Sequence, residues 1–158
     1  MKRESKAIET KVPAGDLNSA VVFLAEDDDE MRALVAGALR DSGYRVVEAM
    51  DGGEMLQMVR DAVYDDIEKP DLIVMDVRMP MRSGLWLLRT IRRTRWDVPV
   101  IIMTAFGDRA VRDEAAAFDA VFVDKPFDVD DLRTTVTNIH LKRAGGRSGG
   151  FSQPRDDA

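Results

Sequence analysis

Short apolar runs recur along the chain, and each is followed by a stretch with a different rhythm. Val21-Val22-Phe23-Leu24-Ala25, Leu72-Ile73-Val74-Met75, Val100-Ile101-Ile102-Met103 and Val121-Phe122-Val123 are strand-length runs without polar alternation. That pattern predicts strands covered on both faces. Arg45-Val46-Val47-Glu48-Ala49 predicts a further short strand. Between these runs the apolar positions recur at helical spacing. Met31, Leu34, Val35, Ala38 and Leu39 mark a first helix, closed by Gly43; Met55, Leu56, Val59, Ala62 and Val63 mark a second, bounded by Pro70. Helices are predicted over Gly84–Arg95, about Asp108–Ala117 and about Val129–Leu141, the last with Val129, Leu132, Val136 and Ile139 on one stripe.

Strand–helix alternation of this kind predicts an α/β fold over residues 20–141: a doubly wound (βα)5 parallel sheet with right-handed crossovers. In the flavodoxin-like strand order 2-1-3-4-5, ligands bind beyond the carboxyl ends of strands one and three, where the order reverses. Residues 1–19, with Pro13 and Gly15, are expected to be a flexible lead-in. Residues 142–158, with Gly145, Gly146, Gly149 and Gly150, are expected to be a flexible tail.

The strand ends carry the chemistry. The first runs into Glu26-Asp27-Asp28-Asp29 and the third into Asp76, the two strands that flank the expected switch point. The fourth ends on Thr104-Ala105 and the fifth on Asp124-Lys125-Pro126-Phe127. Carboxylates gathered in one place repel one another, and Mg²⁺ relieves this because it prefers oxygen ligands in octahedral geometry. Asp27 and Asp76 are the expected direct ligands, with the backbone carbonyl of Arg78 as a further one and Glu26 acting through water. Asp28 is expected to cap the following helix. Asp76 is the candidate nucleophile for a phosphoryl group, a reaction carried by positioning and charge neutralisation. Lys125 would supply a cation and Thr104 a hydrogen-bond donor to its oxygens.

Composition narrows the partners. Net charge is −6, and the acid excess lies between residues 20 and 141, while both ends are net basic. An acidic body lacks the basic footprint that nucleic acid requires, so no direct DNA binding is expected. With no cysteine and no apolar run long enough to span a bilayer, a cytoplasmic protein without membrane contact is expected.

Taken together, Glu26-Asp27 after a strand, Asp76 with Met79-Pro80 and Gly84, Thr104-Ala105 and Lys125-Pro126-Phe127 resemble the receiver domain of two-component response regulators. The resemblance covers roughly residues 20–141. It implies phosphorylation at Asp76, Mg²⁺ at Asp27 and Asp76, and a cis peptide before Pro126. The implied phosphoryl donor is a phosphohistidine on a sensor histidine kinase or a histidine phosphotransfer protein. A switch is expected in which Thr104 moves toward the phosphoryl group and Phe122 fills the vacated space. An unknown downstream protein would then meet the remodelled surface of the fourth helix, fifth strand and fifth helix. This chain departs from the family pattern in three places. Glu26 stands where Asp is frequent, Phe118-Asp119-Ala120-Val121 replaces a Gly-Ala-Asp-Asp-like turn, and Phe122 stands where Tyr is frequent.

Other residues carry plainer expectations. His140 is expected to be exposed near the end of the last helix, and Arg89, Arg92, Arg93 and Arg95 to form a solvated face. Met75, Met79 and Met103 are expected in the core, and Trp86 and Trp96 beside the third helix. Arg78 and Phe106 are placed to influence loss of the phosphoryl group. The chain after residue 141 is expected to be too short for an output domain, which predicts a stand-alone regulator. Two alternatives remain open at this stage: a pseudo-receiver adaptor that works without phosphorylation, and an aspartyl-nucleophile phosphohydrolase.

Overall fold

The computed structural model describes residues 20–65, 68–105 and 109–150, with side chains of the last helix through residue 145. The expected lead-in, Phe106, Asp108 and residues 151–158 lie outside the described residues. Five strands alternate with five helices: β1 (Val21–Ala25), α1 (Asp29–Asp41), β2 (Arg45–Ala49), α2 (Gly52–Tyr64), β3 (Leu72–Asp76), α3 (Gly84–Arg93), β4 (Val100–Thr104), α4 (Arg109–Ala117), β5 (Ala120–Asp124) and α5 (Val129–Gly150). All strand pairs are parallel, in the order β2-β1-β3-β4-β5.

Side-chain alternation along the strands divides the core into two layers. Phe23, Ile73, Met75, Val100 and Ile102 face Met55, Val59, Leu87, Leu88 and Ile91 of α2 and α3. Their neighbours Val22, Leu24, Val74, Ile101 and Met103 face Val35 and Leu39 of α1 and Leu132 and Val136 of α5. The three inner strands β1, β3 and β4 are buried along their whole length, which is why they carry no polar alternation. Met75 and Met103 are core residues, and Met79 packs against the α2–α3 layer.

The outer strand β2 is different. Val46 and Ala49 are buried while Arg45, Val47 and Glu48 are exposed. Arg45 pairs with Glu68, and Glu48 pairs with Arg40 at 3.0 Å.

Helix starts follow their capping residues. Asp28 accepts from Met31 N at 2.9 Å, Asp51 from Glu54 N at 2.8 Å and Ser83 from Trp86 N at 3.1 Å. Among the described residues, no helix is long and apolar enough to cross a membrane.

Three expectations are corrected. First, α5 does not end at Leu141; it continues to Gly150 through the residues expected as a tail. Just past Leu141, Arg143 donates to the Asp97 carbonyl at 3.0 Å and to its carboxylate at 3.1 Å. Second, His140 is buried, with its ring edge-on to Tyr44 at 6.0 Å. Four residues after Val136 on a continuing helix, it shares the inward stripe. Third, Arg92 is not on a solvated face. Its guanidinium donates to the carbonyls of Phe118 and Val98 at 2.8 Å, Trp96 at 3.0 Å and Asp119 at 3.4 Å. Burial lowers its pKa from the usual arginine value, with Asp119 and Asp97 opposing.

Candidate functional site

The carboxyl ends of β1, β3, β4 and β5 converge on one rim, because parallel strands in register end together. Ala25 lies beside Met75 and Asp76 beside Met103, while Thr104 lies beside Asp124. The residues that follow β1 and β5 therefore meet the end of β3. Carboxylate oxygens of Glu26, Asp27 and Asp76 all lie within 4.8 Å of one another. Lys125 Nζ stands 2.6 Å from Glu26 Oε1 and 3.4 Å from Asp76 Oδ2.

Burial differs sharply among these groups. Glu26 is 1% exposed and Asp76 7%, whereas Asp27 faces solvent. Glu26 is held on every side. Its Oε2 accepts from Asp28 N at 3.1 Å, and its own N–H donates to the Ala49 carbonyl at 3.2 Å. The Asp76 carboxyl is pushed up to about 6; burial is the main cause, Lys125 opposes it, and Glu26 and Asp27 add to it. Lys125 moves above its usual value: burial works against its charge, but Glu26 and Asp76 more than compensate.

The backbone around Asp76 is tightly constrained. Gly84 N donates to Val77 O at 2.9 Å, and a Cβ on Gly84 would lie 2.4 Å from the Asp76 carbonyl oxygen. A Cβ on Gly52 would lie 1.9 Å from the Arg82 carbonyl oxygen, so the loop after β3 packs directly on the start of α2. In the same loop, Met81 takes a left-handed φ of 75°. On the other side, Lys125 N donates to the Thr104 carbonyl at 2.6 Å, and the Lys125–Pro126 peptide is cis.

The sequence of residues 22–137 matches the family model of the response regulator receiver domain. The chain belongs to the response regulator receiver family. PdtaR of Mycobacterium tuberculosis, a transcriptional regulatory protein, is 36% identical over 125 residues, covering 76% of this chain and 58% of that protein. The sensor kinase CckA of Brucella abortus is 38% identical over 132 residues, covering 82% of this chain and 14% of the kinase. The chain thus spans little more than half the length of one curated relative and a small part of the other. Among solved structures, the receiver domain of Francisella response regulator 1452 superposes with a TM-score of 0.69 at 28% identity, covering 79% of this chain and 98% of that one. The chemotaxis response regulator CheY4 of Vibrio cholerae gives 0.66 at 27%, covering 76% and 98%.

Within this receiver, the expected site residues are distributed as follows. Glu26, Asp27, Asp76 and Lys125 gather in one pocket. Thr104 is 2% exposed at the end of β4, joined to Lys125 through its carbonyl. Asp28 caps α1, as its position beside the acidic pair suggested. Arg78 is exposed in the loop beyond Asp76. Phe122 is half-buried against the α2–α3 layer and lies opposite Ile102 in register. Arg112 of α4 lies 4.5 Å above its ring and pairs with Asp124. Arg112 was invisible to sequence reasoning, since one arginine on a helix gives no signal of what it covers. Three acids against one ammonium leave an uncompensated negative charge, and the all-oxygen donor set suits a hard divalent cation.

Proposed function

We propose that this receiver is a phosphorylation switch in which Asp76 accepts a phosphoryl group from a phosphohistidine. The donor would sit on a sensor histidine kinase or a histidine phosphotransfer protein. The observation that carries this reading is the buried Asp76 carboxyl with Lys125 Nζ at 3.4 Å and two further carboxylates within 4.8 Å.

An Asp76 oxygen attacks phosphorus, the P–N bond breaks, and its electron pair leaves with the imidazole nitrogen. Attack requires the carboxylate, and the burial that raises the Asp76 pKa to about 6 works against that form. Asp27, Asp76 and the Arg78 carbonyl, with Glu26 acting through water, would hold Mg²⁺, which would supply charge neutralisation there. Lys125 orients on the added oxygens, and the Thr104 hydroxyl donates to one of them. Phosphorylation brings about −1.5 to −2 charges and three acceptors, enough to engage both groups at once.

Strand geometry supports a route of transmission. Thr104 lies two residues beyond Ile102, which pairs with Phe122, so the hydroxyl and the ring share one face of the sheet. Movement of Thr104 toward the phosphoryl group vacates space for Phe122, and the α4-β5-α5 surface is remodelled for a downstream protein in the cytoplasm. Arg78, exposed beside Asp76, is placed to influence phosphoryl loss.

Intact mass after incubation with acetyl phosphate and Mg²⁺ tests the reading. One phosphoryl group is expected on the parent and none on Asp76→Asn. Equal labelling of both proteins, or none on the parent with any phosphohistidine donor, would sink it.

A further inference from the structure

Asp27 is the least supported member of the acid cluster. Its side chain is exposed, and among the described residues its carboxylate has no hydrogen-bond or ion-pair partner. Its position therefore depends on its backbone. The peptide joining it to Glu26 is gripped by Arg32, whose Nη1 donates to the Glu26 carbonyl at 2.8 Å. Arg32 is itself fixed: Nη2 donates to Asp29 at 2.7 Å and Nε to Glu48 at 3.3 Å, and its side chain is only 13% exposed. One side chain thus ties the turn after β1 to both α1 and β2.

We infer that Arg32 is a positioning residue for Asp27. By holding the Glu26–Asp27 peptide it sets where the Asp27 carboxylate stands relative to Asp76, and so sets the affinity of the cluster for a divalent cation. The inference rests on the cation-binding reading given above.

Two plainer roles for Arg32 lead to different outcomes. If only its charge mattered, removing a cation beside an acidic cluster would tighten binding of another cation. Asp29 and Glu48 already neutralise the guanidinium locally, which keeps that contribution small. If Arg32 served only to tie α1 to β2, weakening its Glu48 partner would be equivalent to removing Arg32.

The test is isothermal titration of the full chain with Mg²⁺ alone, for the parent, Arg32→Met, Arg32→Lys and Glu48→Gln. Methionine keeps most of the apolar stem and removes every donor. Arg32→Met is expected to bind Mg²⁺ about tenfold more weakly, the low end of the cost of losing an outer partner of a metal ligand. Glu48→Gln is expected to stay within about twofold of the parent, as for a peripheral ion pair. In metal-free protein, amide exchange at Asp27 and Asp28 should quicken in Arg32→Met. Unchanged or tighter binding by Arg32→Met overturns the inference, as does an equal loss in Glu48→Gln. Should Arg32→Met fail to fold, Arg32→Lys decides: it keeps the charge but loses the fork, so a severalfold loss supports positioning and parental affinity refutes it. A parent that binds no Mg²⁺ overturns the cation-binding reading itself, a result distinct from parent and variant binding alike.

Discussion

The Lys125 ammonium rests on Glu26 at 2.6 Å and reaches Asp76 only at 3.4 Å. The cation that would serve the phosphoryl group is thus held more closely by Glu26 than by the expected acceptor, Asp76. Glu26→Gln removes a negative charge beside Asp76 and weakens the competing hold on Lys125. The Asp76 carboxyl is then expected to titrate below its present value of about 6. Carboxyl ¹³C titration in chelator measures this. A midpoint that does not move would remove Glu26 from the causes of the shift.

Without divalent cations, Asp76 makes the fold more stable in acid. Its folded pKa of about 6 exceeds the ordinary 3.8, so the folded state holds the proton more tightly than the unfolded state. The stabilisation is complete below the ordinary value and is lost as pH rises through about 6. At about 1.4 kcal/mol per pKa unit, the loss is on the order of 2–3 kcal/mol. Asp76→Asn abolishes it, so in chelator near neutral pH the variant should melt above the parent, with the difference vanishing in acid. A variant that melts below the parent throughout would contradict the assignment.

Gly84 is required by space rather than by turn conformation. Its Cα faces the Asp76 carbonyl, and an added Cβ would meet oxygen at 2.4 Å and carbon at 3.1 Å. Backbone cannot swing aside as a side chain does, so Gly84→Ala must displace Asp76 or the start of α3. A loss of about 1–3 kcal/mol is expected from thermal unfolding, as for an overpacked core. A parental melting temperature would show that the loop yields.

Arg92 and Arg93 are adjacent but unequal. Arg92 satisfies carbonyls at Trp96, Val98, Phe118 and Asp119, while Arg93 is exposed. Arg92→Met strands those carbonyls and should cost about 2–4 kcal/mol, whereas Arg93→Met should stay within about 0.5. Urea unfolding of both separates them, and equal stabilities would remove Arg92 from the structural framework.

The sheet and its rim were legible because β1, β3 and β4 are each buried on two sides and so read as unbroken apolar runs. Glu26, Asp27, Asp76 and Lys125 stood out for the complementary reason: ionisable groups placed where such runs stop. Residues that act through reach were hidden. Arg92 spends its length beyond the end of α3, Arg32 grips a carbonyl rather than a motif partner, and Arg112 covers a ring on another element. The end of α5 differed from the expectation because its glycines signal weak helix propensity locally.

The rim is one boundary of the sheet; its flank at β2 is another. An unpaired strand edge invites a second chain to add itself there and propagate. Here an incoming strand would meet Arg45 and Glu48, each already committed to an ion pair with a neighbouring segment. Charged side chains of this kind on an outer strand disfavour the docking of another strand against it.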